Sequence, residues 1–439
     1  MIEAIADRVA ALSLDHLSEA ARERLTLCLL ANLAVGVAGA RYCVLQPPAE
    51  GSGSHSLLSG GRTGDARAAA FWNAAAMHAR TQDDFHPVGN LHIGTVVIPA
   101  LMAVADEVPL SGRDFLEALA AGYMVATGLS SAASPRTTPR GMRSTGYYSP
   151  FGATAAVARA RGLNREDTAS ALALTTVFAG GTTQAWLDGS DEWQLHPAHA
   201  AETGLRACDL AMQGVRGGAH ALDGKAGLFS ALLGEPVTFD RIEQDFDPSA
   251  ALEESVIKRY PVSGICQSVV LASERAAARI HDPAMIRSVL IEMNSFEINY
   301  PGTLNRGPLF RAFSDRLMSA TFCGAAVLAR QGLVFDDFQG AANPLRERLV
   351  TVTEVRNDDA LPLLSSRVTV ALSDGTEVVE LVRNSRDEVR IDRDTIVPWA
   401  ADLFADGGRT RKSAEATMVT VGTLADAVRV DTRRLIASL

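Results

Sequence analysis

The chain has 439 residues, 47% hydrophobic and 21% charged, proportions that exclude disorder, collagen and coiled coil as descriptions of the whole. Acidic residues outnumber Lys and Arg by 51 to 41 and no dense basic cluster occurs, so nucleic-acid binding by counterion release is not expected and a small-molecule function is. Cys28, Cys43, Cys208, Cys266 and Cys323 lie far apart without a CxxC pair, and Glu3 and Asp7 stand where a secretory signal carries basic residues; the expected address is a reducing one, the cytoplasm.

Along the chain, Leu25, Leu29, Leu30 and Leu33 set one apolar stripe of a first long helix. Further helices are expected over 95–108, 113–131, 151–161, 165–179 and 198–213, several opening after Gly, Pro or Ser. The uncharged run 168–187 is too rich in Ser, Thr, Gln and Gly for a bilayer and reads as a buried helix plus a loop, so no membrane span is expected. After about residue 285 the texture turns to strands: IRSVLIEM, RLVTVTEV, SRVTVAL and TEVVELV, the last two joined into a hairpin around Asp374 and Gly375. An amphipathic helix over 315–330 lies among them, and helix returns from 394. The predicted fold is mainly α, a large helical-bundle domain (1–265 and 394–439) with an inserted α+β domain (266–393) built on an antiparallel sheet.

Four segments carry candidate chemistry. HARTQDDFHPVGNLHIGT brings His78, Arg80, Asp83, Asp84, His86 and His92 together ahead of an apolar helix. Imidazole beside carboxylate suits general acid/base work, although the same groups could hold a metal or, for Asp83 and Asp84, cap the following backbone. Arg136, Arg140 and Arg143 precede Tyr147 and Tyr148 at a helix entrance, a combination suited to carboxylates or equally to a solvated loop. His196 and His199 flank Pro197, which favours helix-start packing over a metal pair. Lys258 and Arg259 precede a Tyr-Pro turn at the expected domain boundary, where a lysine in a cleft would hold a carboxylate. GxGxxG, Walker, GxSxG and HExxH patterns are absent.

Five collinear segments resemble the MmgE/PrpD family, which includes 2-methylcitrate dehydratase, cis-aconitate decarboxylase and iminodisuccinate epimerase. HARTQDDFHPVGNLHIG is similar to its HxxDFDDxH segment, GYYSPFGATAAVARARGLN to its GxHxTGxxG helix start and QLHPAHAAETGLRACDLAMQGVRG to its KxLHxGxAAxxG segment. VIKRYPVSG matches its KxYP turn and DRLMSATFCGAAVLARQG its FSxPYxVAxAL helix. The resemblance implies a homodimer of two-domain subunits with a cofactor-free, metal-free site in a cleft, and chemistry that begins by removing a proton next to a carboxylate.

Residue by residue, the resemblance makes His92 the base and Lys258 the carboxylate anchor, with Tyr148 serving from the opposite face. Thr81, Asp83, Asp84, Arg143, Gln194, His196 and Ser263 are the expected substrate contacts. Thr81, Phe85, Tyr148, Gln194 and Ser263 replace an Asp, Thr, His, Lys and His of the decarboxylase-like members. Losing basic groups leaves a substrate carboxylate without a counter-charge, so a shift of substrate or reaction is expected. The function expected is a lyase on a small carboxylate-bearing substrate. Its alternatives are a two-base epimerase and a catalytically silent ligand-binding member.

Overall fold

A computed structural model describes residues 1–46, 53–305, 310–330 and 332–437. The chain forms two compact units, one of Met1–Thr182, Gln194–Ile257 and Asp392–Leu439, the other of Thr183–Trp193 and Lys258–Ile391. The second unit thus runs from Lys258 to Ile391, where the sequence reading placed 266 and 393, and it adds Thr183–Trp193.

The first unit is helical. Its helices start where side chains satisfy the first free N–H groups: Ser18 caps Glu19–Gly39 through Ala21 N, Ser111 caps Gly112–Thr137 through Asp114 N, and Asn164 caps Arg165–Thr175 through Asp167 N. Small residues let helices touch backbone to backbone. A Cβ on Gly152 would lie 2.6 Å from the Gly122 carbonyl oxygen, so Gly112–Thr137 and Ser144–Ala160 pack at a separation only glycine permits. The alanine-rich core of Ala70, Ala74, Ala100, Ala153, Ala201 and their neighbours continues this packing. Glu19–Tyr42 is the one segment among the described residues long and apolar enough to cross a membrane, and 78% of its most apolar window is buried within the protein.

The second unit holds a four-stranded sheet in the order Thr353–Asn357, Ile286–Met293, Ser366–Leu372, Glu377–Val382. Two pairings are antiparallel, as expected, but Ile286–Met293 and Thr353–Asn357 run parallel. Alternation places Val289, Ile291, Val368 and Val370 on the buried face. Against it lie Cys266–Ala277 and Ala320–Arg330. Gly375, at φ 88°, closes the expected hairpin.

Two local expectations need correction. RLVTVTEV is strand only in its second half, because Asn343 accepts from Arg346 N and Pro344 takes the first helical position, starting a helix that runs to Thr351. The helix over 315–330 is two, Phe313–Met318 and Ala320–Arg330, since Ser319 caps the second by accepting from Phe322 N.

Candidate active site

The helix Ala66–His78 delivers His78 to the interior, and the chain then turns back, with Thr81 N donating to His78 O. Thr81 holds the left-handed conformation at φ 50°, and its hydroxyl is buried with no hydrogen-bond partner among the described residues. A short bridge between Phe85 and Val256 and another between His86 and Leu91 fold the segment onto the helix Gly94–Glu107. His92 is clamped at the entrance of that helix: its N–H donates to Thr145 Oγ1 (3.1 Å) and its carbonyl accepts from Ser149 Oγ (2.7 Å).

Asp83 is the hinge of the arrangement. One carboxylate oxygen, Oδ2, lies 3.0 Å from His78 Nδ1 and 3.0 Å from His92 Nδ1, and the two rings meet edge to face at 4.6 Å between centroids. Arg143 Nη2 lies 3.3 Å from His78 Nε2. A guanidinium has only donors, so His78 Nε2 accepts and its proton sits on Nδ1, facing Asp83. The same oxygen draws the positive charge of a protonated His92 ring toward Nδ1, and Nε2 is the ring nitrogen away from Asp83. Asp83 and His78 are fully buried, whereas the His92 side chain is 14% exposed, so His92 is the end of this chain of groups that a solute reaches.

Ligand atoms of His78, Asp83 and His92 all lie within 4.8 Å of one another, close enough for three groups that share an ion. The Arg143 contact weighs against that use: it places the His78 proton on the nitrogen that would have to coordinate, and sets a fixed cation beside a would-be dication.

Asp84, expected as a substrate contact, turns the other way. It is completely buried, with Oδ1 accepting from Asn32 Nδ2 (2.8 Å) and Gly94 N (3.1 Å) and Oδ2 from the Tyr123 hydroxyl (2.6 Å). Burial, reinforced by the neighbouring Asp83 charge, pushes its carboxyl up to about 6 despite those donors. Asp84 therefore ties the first turn of the Gly94 helix, and so the His92 backbone, to the core.

The arginine loop divides. Arg136 binds Glu235 and Leu233 O, and Arg140 binds Leu232 O, so both hold a neighbouring turn. Arg143 alone enters the polar cluster, with its N–H on Gly181 O (3.1 Å). The His196 ring packs on Gly181, where a Cβ would lie 2.9 Å from its Cδ2 and Nε2. His199 instead pairs with Glu202 (2.8 Å) on a half-exposed face. Gln194 spends Oε1 on Val44 N (3.0 Å).

Tyr148 is buried on the helix Ser144–Ala160 with its hydroxyl 3.2 Å from Thr137 Oγ1, and burial raises it to about 12. In the second unit Lys258 is fully buried, and Ser263 Oγ accepts from Cys266 N (3.2 Å) at the start of the Cys266–Ala277 helix. Arg80 and His86, also part of the polar segment, hold Asp406 (3.0 Å) and Glu254 (3.2 Å). The sequence reading gave His78 no separate role, and Asn32, Tyr123, Thr145 and Ser149 none at all. His78's signal was its place in the same polar segment; the other four carry none.

Residues 3–240, just over half of the chain, match the MmgE/PrpD N-terminal domain. A cis-aconitate decarboxylase-like protein, oryM, of Aspergillus oryzae is 26% identical over 362 residues, 76% of this chain and 74% of that protein. Human cis-aconitate decarboxylase is 32% identical over 165 residues, 36% of this chain and 34% of its own. The mouse cis-aconitate decarboxylase is 28% identical over 235 residues, 50% of this chain and 47% of its own.

Proposed function

The chain belongs to the MmgE/PrpD family, and from that premise we propose that it is a cofactor-independent lyase of dehydratase or decarboxylase type acting on a small carboxylate-bearing substrate. The observation that carries the reading is the single Asp83 oxygen shared by His78 and His92, with His92 at the accessible end. In the dehydrating direction His92 Nε2 takes the proton from the carbon next to a carboxylate. The electron pair is held there as an enediolate and then forms the carbon–carbon double bond as hydroxide leaves the β-carbon. In the decarboxylating direction the electron pair of the broken carbon–carbon bond stays on the substrate as carbon dioxide departs, and protonated His92 returns a proton to it. Either way Asp83 stabilises the imidazolium, Arg143 fixes the tautomer of His78, and a fixed cation offsets the developing negative charge.

Lys258 is assigned the carboxylate anchor on its motif match. The unpartnered hydroxyl of Thr81 is available to a substrate oxygen. The two-base epimerase gains no support from Tyr148, whose hydroxyl already contacts Thr137 and titrates far above neutrality.

The relatives' names make cis-aconitate the first compound to assay, within a panel of di- and tricarboxylates in deuterium oxide. Release of carbon dioxide with deuterium in the product, or of water with loss of the substrate's α-proton, is expected, and it should vanish in His92→Ala. Deuterium exchanged into substrate of unchanged mass class would instead mark epimerisation. Turnover that survives His92→Ala would overturn the assignment.

A further inference from the structure

Within the second unit, using none of the groups assigned to the candidate active site, lies a cavity of about 370 Å³ lined by Phe310, Arg316, Phe322, Gly340, Arg346 and Glu347 among others. That volume is at the lower end of what small ligands occupy.

Its charge is unbalanced. Buried Asp337 is already matched by Arg330 Nε (2.7 Å) and Arg346 Nη1 (3.5 Å). Arg316, by contrast, has no carboxylate within ion-pair distance among the described residues. Its contacts are two carbonyl oxygens, Phe338 O from Nη1 (3.0 Å) and Phe310 O from Nη2 (3.4 Å). Burial and the neighbouring Arg346 both disfavour its charge. Gly340 leaves the guanidinium uncovered, since a Cβ there would sit 3.2 Å from Arg316 Nη2. The one acid on the rim, exposed Glu347, accepts from Asn343 N at the start of its own helix (3.3 Å).

The remaining wall is aromatic. Phe310 and Phe322 meet edge to face at 5.2 Å, and the Arg346 guanidinium lies 5.0 Å from the Phe322 centroid. A half-buried cation with spare planar donors, beside a second arginine and above two phenyl rings, matches a flat apolar body that ends in a carboxylate.

We propose that this cavity is a binding site for a small carboxylate carried on a planar apolar body, with Arg316 receiving the carboxylate and Phe310 and Phe322 the flat face. The site is independent of the reading given to His92.

Benzoate titrated into the full chain, followed by calorimetry and by crystallographic soaking, tests it. Binding near or below about 1 mM is expected. Arg316→Gln should weaken it about tenfold or more, Arg316→Lys should recover part of the loss, and Glu347→Gln should tighten it about twofold. His92→Ala should leave it unchanged. Thermal melts of each variant verify folding. No binding at about 20 mM would overturn the proposal, as would binding that ignores Arg316→Gln or disappears with His92→Ala.

Discussion

The segment 78–94 and the loop 136–143 are two polar stretches of the first unit, and they fold in opposite ways. In the first, nearly every charged group goes inside and finds a partner there: His78, Asp83 and His92 share one oxygen, and Asp84 collects three donors. In the second, two of three arginines stay at a surface turn and only Arg143 goes in. The density of charge in a sequence therefore says little about function. What separates the regions is desolvation: a buried ionisable group persists only where donors and acceptors are already in place, and those same constraints orient it for chemistry.

If that contrast is right, the largest effects belong to the shared oxygen. His92→Ala removes the group that moves the proton and should lower kcat by about a thousandfold with the fold intact, read by steady-state assay and a thermal melt. Asp83→Asn keeps the shape and can keep an oxygen facing both rings, but it removes the negative charge that stabilises a protonated His92. A fall in kcat of about a hundredfold is expected, with a small change in KM. A variant within a few-fold of wild type would break the comparison at its centre.

Much of this was legible beforehand. Asp83 and His92 lie in one contiguous segment, so the sequence alone places them together, and richness in Val, Ile and Thr marked Ile286–Met293 and Ser366–Leu372 as strands. What was hidden depended on distant partners. Asp83 and Asp84 are the same residue type side by side; only Tyr123 and Asn32, 39 and 52 positions away, make one of them part of the core. Arg143 is distinguished from Arg140 by a histidine 65 positions away. The break at Ser319 is a single side-chain cap inside an apolar run whose periodicity continues past it.

Asp84 comes next in size. Alanine there strands the donors of Asn32, Tyr123 and Gly94 in the interior, costing about 3 kcal/mol of stability and, by loosening the start of the His92 helix, about tenfold in kcat. Asparagine should rescue both, because its oxygen can face Asn32 and Gly94 while its amide donates to the Tyr123 hydroxyl. The pH dependence sharpens this. With the folded carboxyl raised to about 6, the unfolded chain gives up its proton first, so the contribution of Asp84 to stability is greatest in acid and declines as pH rises from about 4 to about 6. Asp84→Asn should flatten that part of the stability profile, measured by denaturant midpoint against pH.

The smallest effects should come from the loop that stayed outside. Arg136 is half exposed, and its pairing with Glu235 is of the kind that contributes little in water. Arg140 reaches only a carbonyl of the same turn. Each to alanine should alter kcat/KM less than about twofold, whereas Arg143→Ala, which frees His78 to change tautomer, should cost several times more. These three arginines lie within eight positions of each other in the chain, so they sample similar sequence context with different burial. Should Arg136→Ala or Arg140→Ala reduce kcat/KM as much as Arg143→Ala does, the anion-steering field of the whole loop would matter more than the single buried contact. Raising the ionic strength would then lower kcat/KM for wild type but not for the variant.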